Sequence, residues 1–138
     1  MIDPENVPPI ADDELLARFA TQSKQYRKSD HTVNQNLFIP HPRNELSVTR
    51  HRDATQEEIW LVAHGVAETM NRRLYGRADI CASDCNIDTL RVVAKPILPH
   101  NPNHADIEGW PPRKEDKKAI AQKLAASASK LIQAPSVS

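Results

Sequence analysis

Glycine and cysteine are scarce in this 138-residue chain, at three and two copies, and aromatic residues make up only 4% of it. Each shortage closes a route to function. The three glycines, Gly65, Gly76 and Gly109, stand alone, so no glycine-rich loop can cradle a phosphate. Gly-x-Ser-x-Gly and His-Glu-x-x-His are both absent, which removes the hydrolase elbow and the zinc-protease helix. Cys81 and Cys85 have no second pair to complete a metal set. In an extended strand they would lie roughly 13 Å apart, so a disulfide needs a turn between them. Few rings also means few surfaces on which bases can stack. Lys+Arg and Asp+Glu are equal at 18 each, so no global field draws in nucleic acid or membrane. No apolar run approaches the ~20 residues of a membrane span. The N-terminus is acidic and proline-rich, unlike a signal peptide. These absences lead us to expect a cytoplasmic chain with reduced thiols, no membrane partner and no cofactor.

Proline, by contrast, is plentiful, with eleven copies, and six histidines accompany it. Both concentrate in Pro99-His100-Asn101-Pro102-Asn103-His104-Ala105-Asp106-Ile107. Pro99 and Pro102 stiffen this stretch and rule out a helix, while Asn101 and Asn103 can close turns on their own backbone. We therefore expect an ordered loop that holds His100 and His104 in place. Two histidines fall short of the three protein ligands a zinc site needs, so the expected metal set is none.

The rest of the chain reads as alternating elements. Residues 1–11 are expected to form an extended arm, 12–132 a single α+β domain, and 133–138 a tail. Asp12 or Asp13 can cap a helix to about Lys28, with Leu15, Phe19, Gln22 and Tyr26 on one face. Leu46 to Arg50 alternates as a half-buried strand, and Arg50 on its apolar face must either leave the sheet edge or meet a carboxylate or anion. Thr55-Gln56-Glu57-Glu58 is a capping box opening the longest helix, to about Leu74, where Gly76 ends it. Ile59, Val62, Ala63, Val66, Met70 and Leu74 form its core stripe. Trp60 and Leu61 lie off that stripe and suggest a second contact. Strands are expected at 77–82, at 90–98 as a central strand, and at 105–110, and a last helix at about 113–132. The sum is a small, mostly antiparallel sheet of four to five strands packed with three helices.

Charge is uneven along the chain. Residues 1–15 carry five acids and no base, whereas 16–54 carry seven bases against three acids. Arg50-His51-Arg52, Arg77, His100 and His104 could converge at strand ends. Imidazole moves protons near neutral pH and guanidinium grips phosphate through paired hydrogen bonds. Such a site would suit metal-independent cleavage of a phosphodiester, with His100, His104, Arg50 and His51 as catalytic groups.

Leu46-Ser47-Val48-Thr49-Arg50, Leu74-Tyr75-Gly76-Arg77-Ala78 and Asn101-Pro102-Asn103-His104-Ala105-Asp106-Ile107 together resemble segments of a type of small uncharacterised bacterial or phage protein, over roughly residues 37–110. The resemblance implies a bacterial or phage origin and an association with conflict or defence systems, and it supplies no activity. The leading expectation is a binding or accessory module working through contact with another protein or with itself, using Trp60, Leu61, Arg77, Asn101 and Asn103. The alternatives are the His/Arg nuclease or nucleotide-processing enzyme, and a nucleic-acid-binding domain using the basic region 18–52.

Overall fold

The computed structural model describes residues 1–136. It contains β1 (Leu15–Ala20), β2 (Leu46–Arg50), α1 (Gln56–Thr69), β3 (Gly76–Cys81), β4 (Arg91–Ala94), β5 (His104–Glu108), α2 (Lys114–Ser127) and β6 (Ile132–Gln133), with short 3-10 turns between them. The strands form one sheet in the order β4-β5-β2-β1-β3-β6, and every neighbouring pair is antiparallel. The expected three helices and four to five strands are thus corrected to two helices and six strands.

The first error lies at residues 12–28. The stretch expected to be a helix is β1, near the middle of the sheet, paired to β3 from Leu15↔Cys81 to Ala20↔Gly76 and to β2 at Leu16↔Arg50 and Ala17↔Thr49. Leu15, placed on the helical stripe, is 47% exposed, whereas Leu16 and Ala17 are fully buried. Hydrogen-bonding partners on both sides override a weak local helical pattern. The second error is at the C-terminus: α2 stops at Ser127, and Ile132–Gln133 return to the sheet edge as β6. Gly76 does not end a helix but opens β3, where a Cβ would stand 2.2 Å from the Ile132 carbonyl oxygen. Residues 90–98 supply only the edge strand β4, since Pro96 cannot extend a ladder. Of the proline-rich stretch, His104 to Ile107 belongs to β5 and only the part before it is loop.

The capping box forms as read: Thr55 Oγ1 accepts from the Glu58 amide at 3.1 Å and Glu58 Oε1 from the Thr55 amide at 2.9 Å. The helix ends early because Asn71 adopts a left-handed conformation (φ 53°) and the amides of Asn71 and Arg72 bond back to the carbonyls of Glu68 and Ala67. That is the Schellman stop, with asparagine in the position glycine usually takes.

Two layers flank the sheet. On one face α2 places Ile120, Ala121 and Leu124 against Leu16, Val48, Ile80, Ile107 and their neighbours, forming the main core. On the other face α1 buries only Ile59, Ala63 and Ala67. The expected core stripe is therefore split: Val66 is 37% and Met70 46% exposed.

Candidate functional site

Arg50 points into the core side and is fully buried. Its Nε and Nη2 donate to Glu14 Oε1 and Oε2 at 2.7 and 2.6 Å, and Nη1 and Nη2 donate to the carbonyls of Pro8 and Pro9 at 2.8 and 3.1 Å. Burial works to raise the Glu14 carboxyl, but the hydrogen bonds from Arg50 and the Ala11 amide outweigh it and hold it low. Arg50 thus meets a carboxylate of the same chain and clamps residues 8–14 to the sheet.

His51, the residue that follows β2, turns to the opposite face. Its Nε2 lies 2.8 Å from Asp79 Oδ1, which also accepts from Arg77 Nε at 3.1 Å. Arg77 Nη2 donates to Gln56 Oε1 at 2.5 Å, and its guanidinium carbon sits 4.7 Å from the centre of the Trp60 ring. Burial pushes the Asp79 carboxyl up, yet the hydrogen bond from His51 and the charges of His51 and Arg77 leave it below its ordinary value. Among the described residues no hydroxyl or thiol hydrogen-bonds His51 in this pair. Its physical effect is to anchor the start of α1. Trp60, expected to be a free contact, is committed here as the lid of Arg77.

The loop before β5 is held by its amides. Asn103 is fully buried; its Oδ1 accepts from the Ile2 amide at 2.8 Å, and its Nδ2 donates to the carbonyls of Arg50 and Arg52, each at 2.7 Å. Asn101 Oδ1 accepts from the Asn103 amide at 3.2 Å, and its Nδ2 donates to Thr49 Oγ1 at 3.2 Å. Both asparagines, proposed from sequence as binding groups, are spent on the fold. His100 is exposed and His104 half-buried. The four His/Arg groups therefore do not share one site: Arg50 faces the core with Glu14, His51 pairs with Asp79, and His100 and His104 belong to a third region.

That third region is a cleft of about 1130 Å³ between α1 and the open sheet face. Leu61, Val62, Val66 and Met70 of α1 form one wall, Phe19, Ser47 and Thr49 lie at the floor, and Ile97, His100, Asn101 and His104 close the far side. Leu61 is 69% exposed, the most exposed large apolar side chain described. Arg18 borders the cleft, its guanidinium donating to the carbonyls of Leu37 and Ser47 at 2.8 and 3.0 Å, and among the described residues no carboxylate pairs with it. Burial pulls its pKa down to about 10. The basic region 18–52 is also less available than its composition suggests. Arg27 is paired with Asp30, and Arg50 with Glu14.

Beside the cleft, β5 presents His104, Asp106 and Glu108 on one face, with Glu45 opposite on the chain entering β2. Sequence reading missed this group apart from His104. The legible signal was His104-x-Asp106-x-Glu108, since alternate residues of a strand share a face. Comparison with protein-family models, with curated proteins and with solved structures finds no match to this chain.

Proposed function

We propose that this protein is a binding or accessory module that acts through contact with another protein, and that the cleft beside α1 is its docking site. The observation that carries the proposal is the outward turn of Leu61, Val66, Met70 and Ile97 around one concavity, while the opposite face of the sheet is closed by α2. Apolar side chains gathered around one concavity offer a partner's apolar groups a place to be buried. The occupant we assign is an amphipathic segment whose apolar anchors, one helical turn apart, enter the cleft. A role in bacterial conflict or defence rests on the sequence resemblance alone.

The His/Arg enzyme reading draws no support from these positions, because Arg50 and His51 have fixed partners away from the cleft. The test is site-specific photocrosslinking in the native host. A photoreactive residue replacing Leu61 is expected to yield a discrete protein adduct that disappears with Met70→Asp. The same residue replacing Lys118, exposed on α2, is expected to yield none. Equal labelling from both positions, or an adduct indifferent to Met70→Asp, defeats the docking role.

A further inference from the structure

The two tyrosines of the chain meet at one end of the sheet. Tyr26 lies beyond β1 and Tyr75 just before β3, and their ring centres are 5.8 Å apart with the planes tilted by 52°. The Tyr75 amide donates to the Ala20 carbonyl at 2.9 Å, and the Tyr75 carbonyl accepts from the Ala134 amide at 3.1 Å. His31 stands edge-on to Tyr26, ring centres 6.2 Å apart, and its carbonyl accepts from the Leu131 amide at 2.8 Å. Three chain segments are thereby tied together around three rings. The rings rest on the core yet keep part of their surface in solvent.

The charge around them is one-sided. Segments 22–31, 71–76 and 129–133 carry Lys24, Arg27, Lys28, Arg72, Arg73 and Lys130, all exposed, against a single acid, Asp30. The chain as a whole has as many acids as bases, so this end is a local segregation of charge. Asp30 is taken up by Arg27 and by the amide and hydroxyl of Thr32. Among the described residues the other five cations pair with no carboxylate, and Arg73 lies over the Tyr75 ring, its guanidinium carbon 5.0 Å from the centre. Arg18 and Arg50 are withdrawn into the fold, but Lys24, Arg27 and Lys28 keep the basic region 18–52 at the surface here.

We propose that this end of the sheet, with Tyr26, His31 and Tyr75 at its centre and the six cations around them, binds single-stranded nucleic acid without sequence preference. Rings interleaved with unpaired cations offer bases a face to stack on and phosphates a counter-charge. A duplex fits less well: its bases are stacked on one another, and the three segments contain no α-helix to enter a groove. The patch adjoins the docking cleft at Arg72 and does not depend on the docking role.

The probe is fluorescein-labelled oligo(dT) of about 12 nucleotides, within the usual span of such surfaces, followed by anisotropy on the full chain. Saturable binding at low salt is expected, tighter than to a duplex of the same length. Log affinity should fall against log salt with a slope of about −2 to −3, for three or four phosphates at about 0.7 each. Lys28→Gln and Arg73→Gln should each weaken binding and take about 0.7 off that slope. Tyr75→Leu keeps an apolar side chain on the core and removes the ring, and it should weaken binding about tenfold with the slope retained. Lys118→Gln, at an exposed position on α2 outside the three segments, should change neither quantity. Circular dichroism separates lost binding from lost fold, and Tyr26→Leu with the two charge variants carries the test where Tyr75→Leu unfolds. The proposal is overturned by no saturable binding at low salt, by a duplex bound as tightly as the single strand, by ring and charge variants that bind like the wild type, or by Lys118→Gln weakening binding as much as Lys28→Gln.

Discussion

The two faces of the sheet solve the same problem in opposite ways. The α2 face is closed: its apolar side chains interdigitate, and the buried guanidinium pointing into it, that of Arg50, is matched by Glu14 with two hydrogen bonds and by two carbonyls with two more. The α1 face is open: the helix touches down through Ile59 and two alanines, apolar side chains overhang a cleft, and a buried carboxylate is left without a hydrogen bond. A face that only had to be stable would close like the first. The contrast teaches where to look for function, because unsatisfied groups and uncovered apolar surface both collect on the second face.

The largest expected effect tests the closed face. Glu14→Ala strips the partner from a fully buried guanidinium and also frees residues 8–14. Breaking a buried pair from one side costs about 3–5 kcal/mol, so urea unfolding should show a loss of that order. The corresponding truncation on the open face, Glu108→Ala, should cost under about 1 kcal/mol, since its partners Arg91 and Lys95 are largely exposed. Equal losses at the two sites would erase the distinction.

A smaller difference is expected between apolar side chains. Leu124→Ala opens a cavity in a packed core and should cost about 2–5 kcal/mol. Met70→Ala, at a site 46% exposed beside the cleft, should stay within about 0.5 kcal/mol. Denaturant midpoints measured side by side check this, and a Met70 cost near that of Leu124 would mean that the cleft is closed in solution.

The closed face was the easier to read from sequence. Leu46 and Val48 alternate as a strand should, the capping box announces α1, and Ile120 and Leu124 mark the inner side of α2. The rest depended on distant partners. Nothing local to Leu15–Ala20 says that strands will flank it on both sides, and local spacing favoured a helix. Arg50 signalled that it needed a partner, but Glu14 lies 36 residues away. The cleft was illegible for a further reason. The stripe expected on α1 meets the buried face only at Ile59 and Ala63, because spacing cannot say how much of a stripe a sheet will cover, and here Ile59, Ala63 and Ala67 alone of the helix are buried.

Acid separates the two faces through the opposite signs of their carboxyl shifts. Glu14 titrates below its ordinary value when folded, so the folded chain binds fewer protons there than the unfolded chain. Its contribution is complete above pH 4.5, the ordinary glutamate value, and is lost as pH falls through the lower folded value. Asp106 is raised, first by burial and then by the neighbouring charges of Glu45 and Glu108, against the opposing pull of His104 and Lys95. It therefore burdens the fold at neutral pH, and protonation relieves that burden as pH falls through its raised value. Asp106→Asn should accordingly stabilise the chain at neutral pH, by an amount of order 1 kcal/mol, the scale of one buried unpaired polar group. The gain should shrink as the wild-type carboxyl takes up its proton. Glu14→Gln should do the reverse: it should destabilise at neutral pH and flatten the loss below pH 4.5. Urea unfolding across this range distinguishes the two. An Asp106→Asn variant that loses stability at neutral pH would mean that Lys95 and His104 already satisfy the carboxylate, and the open face would then be as well matched as the closed one.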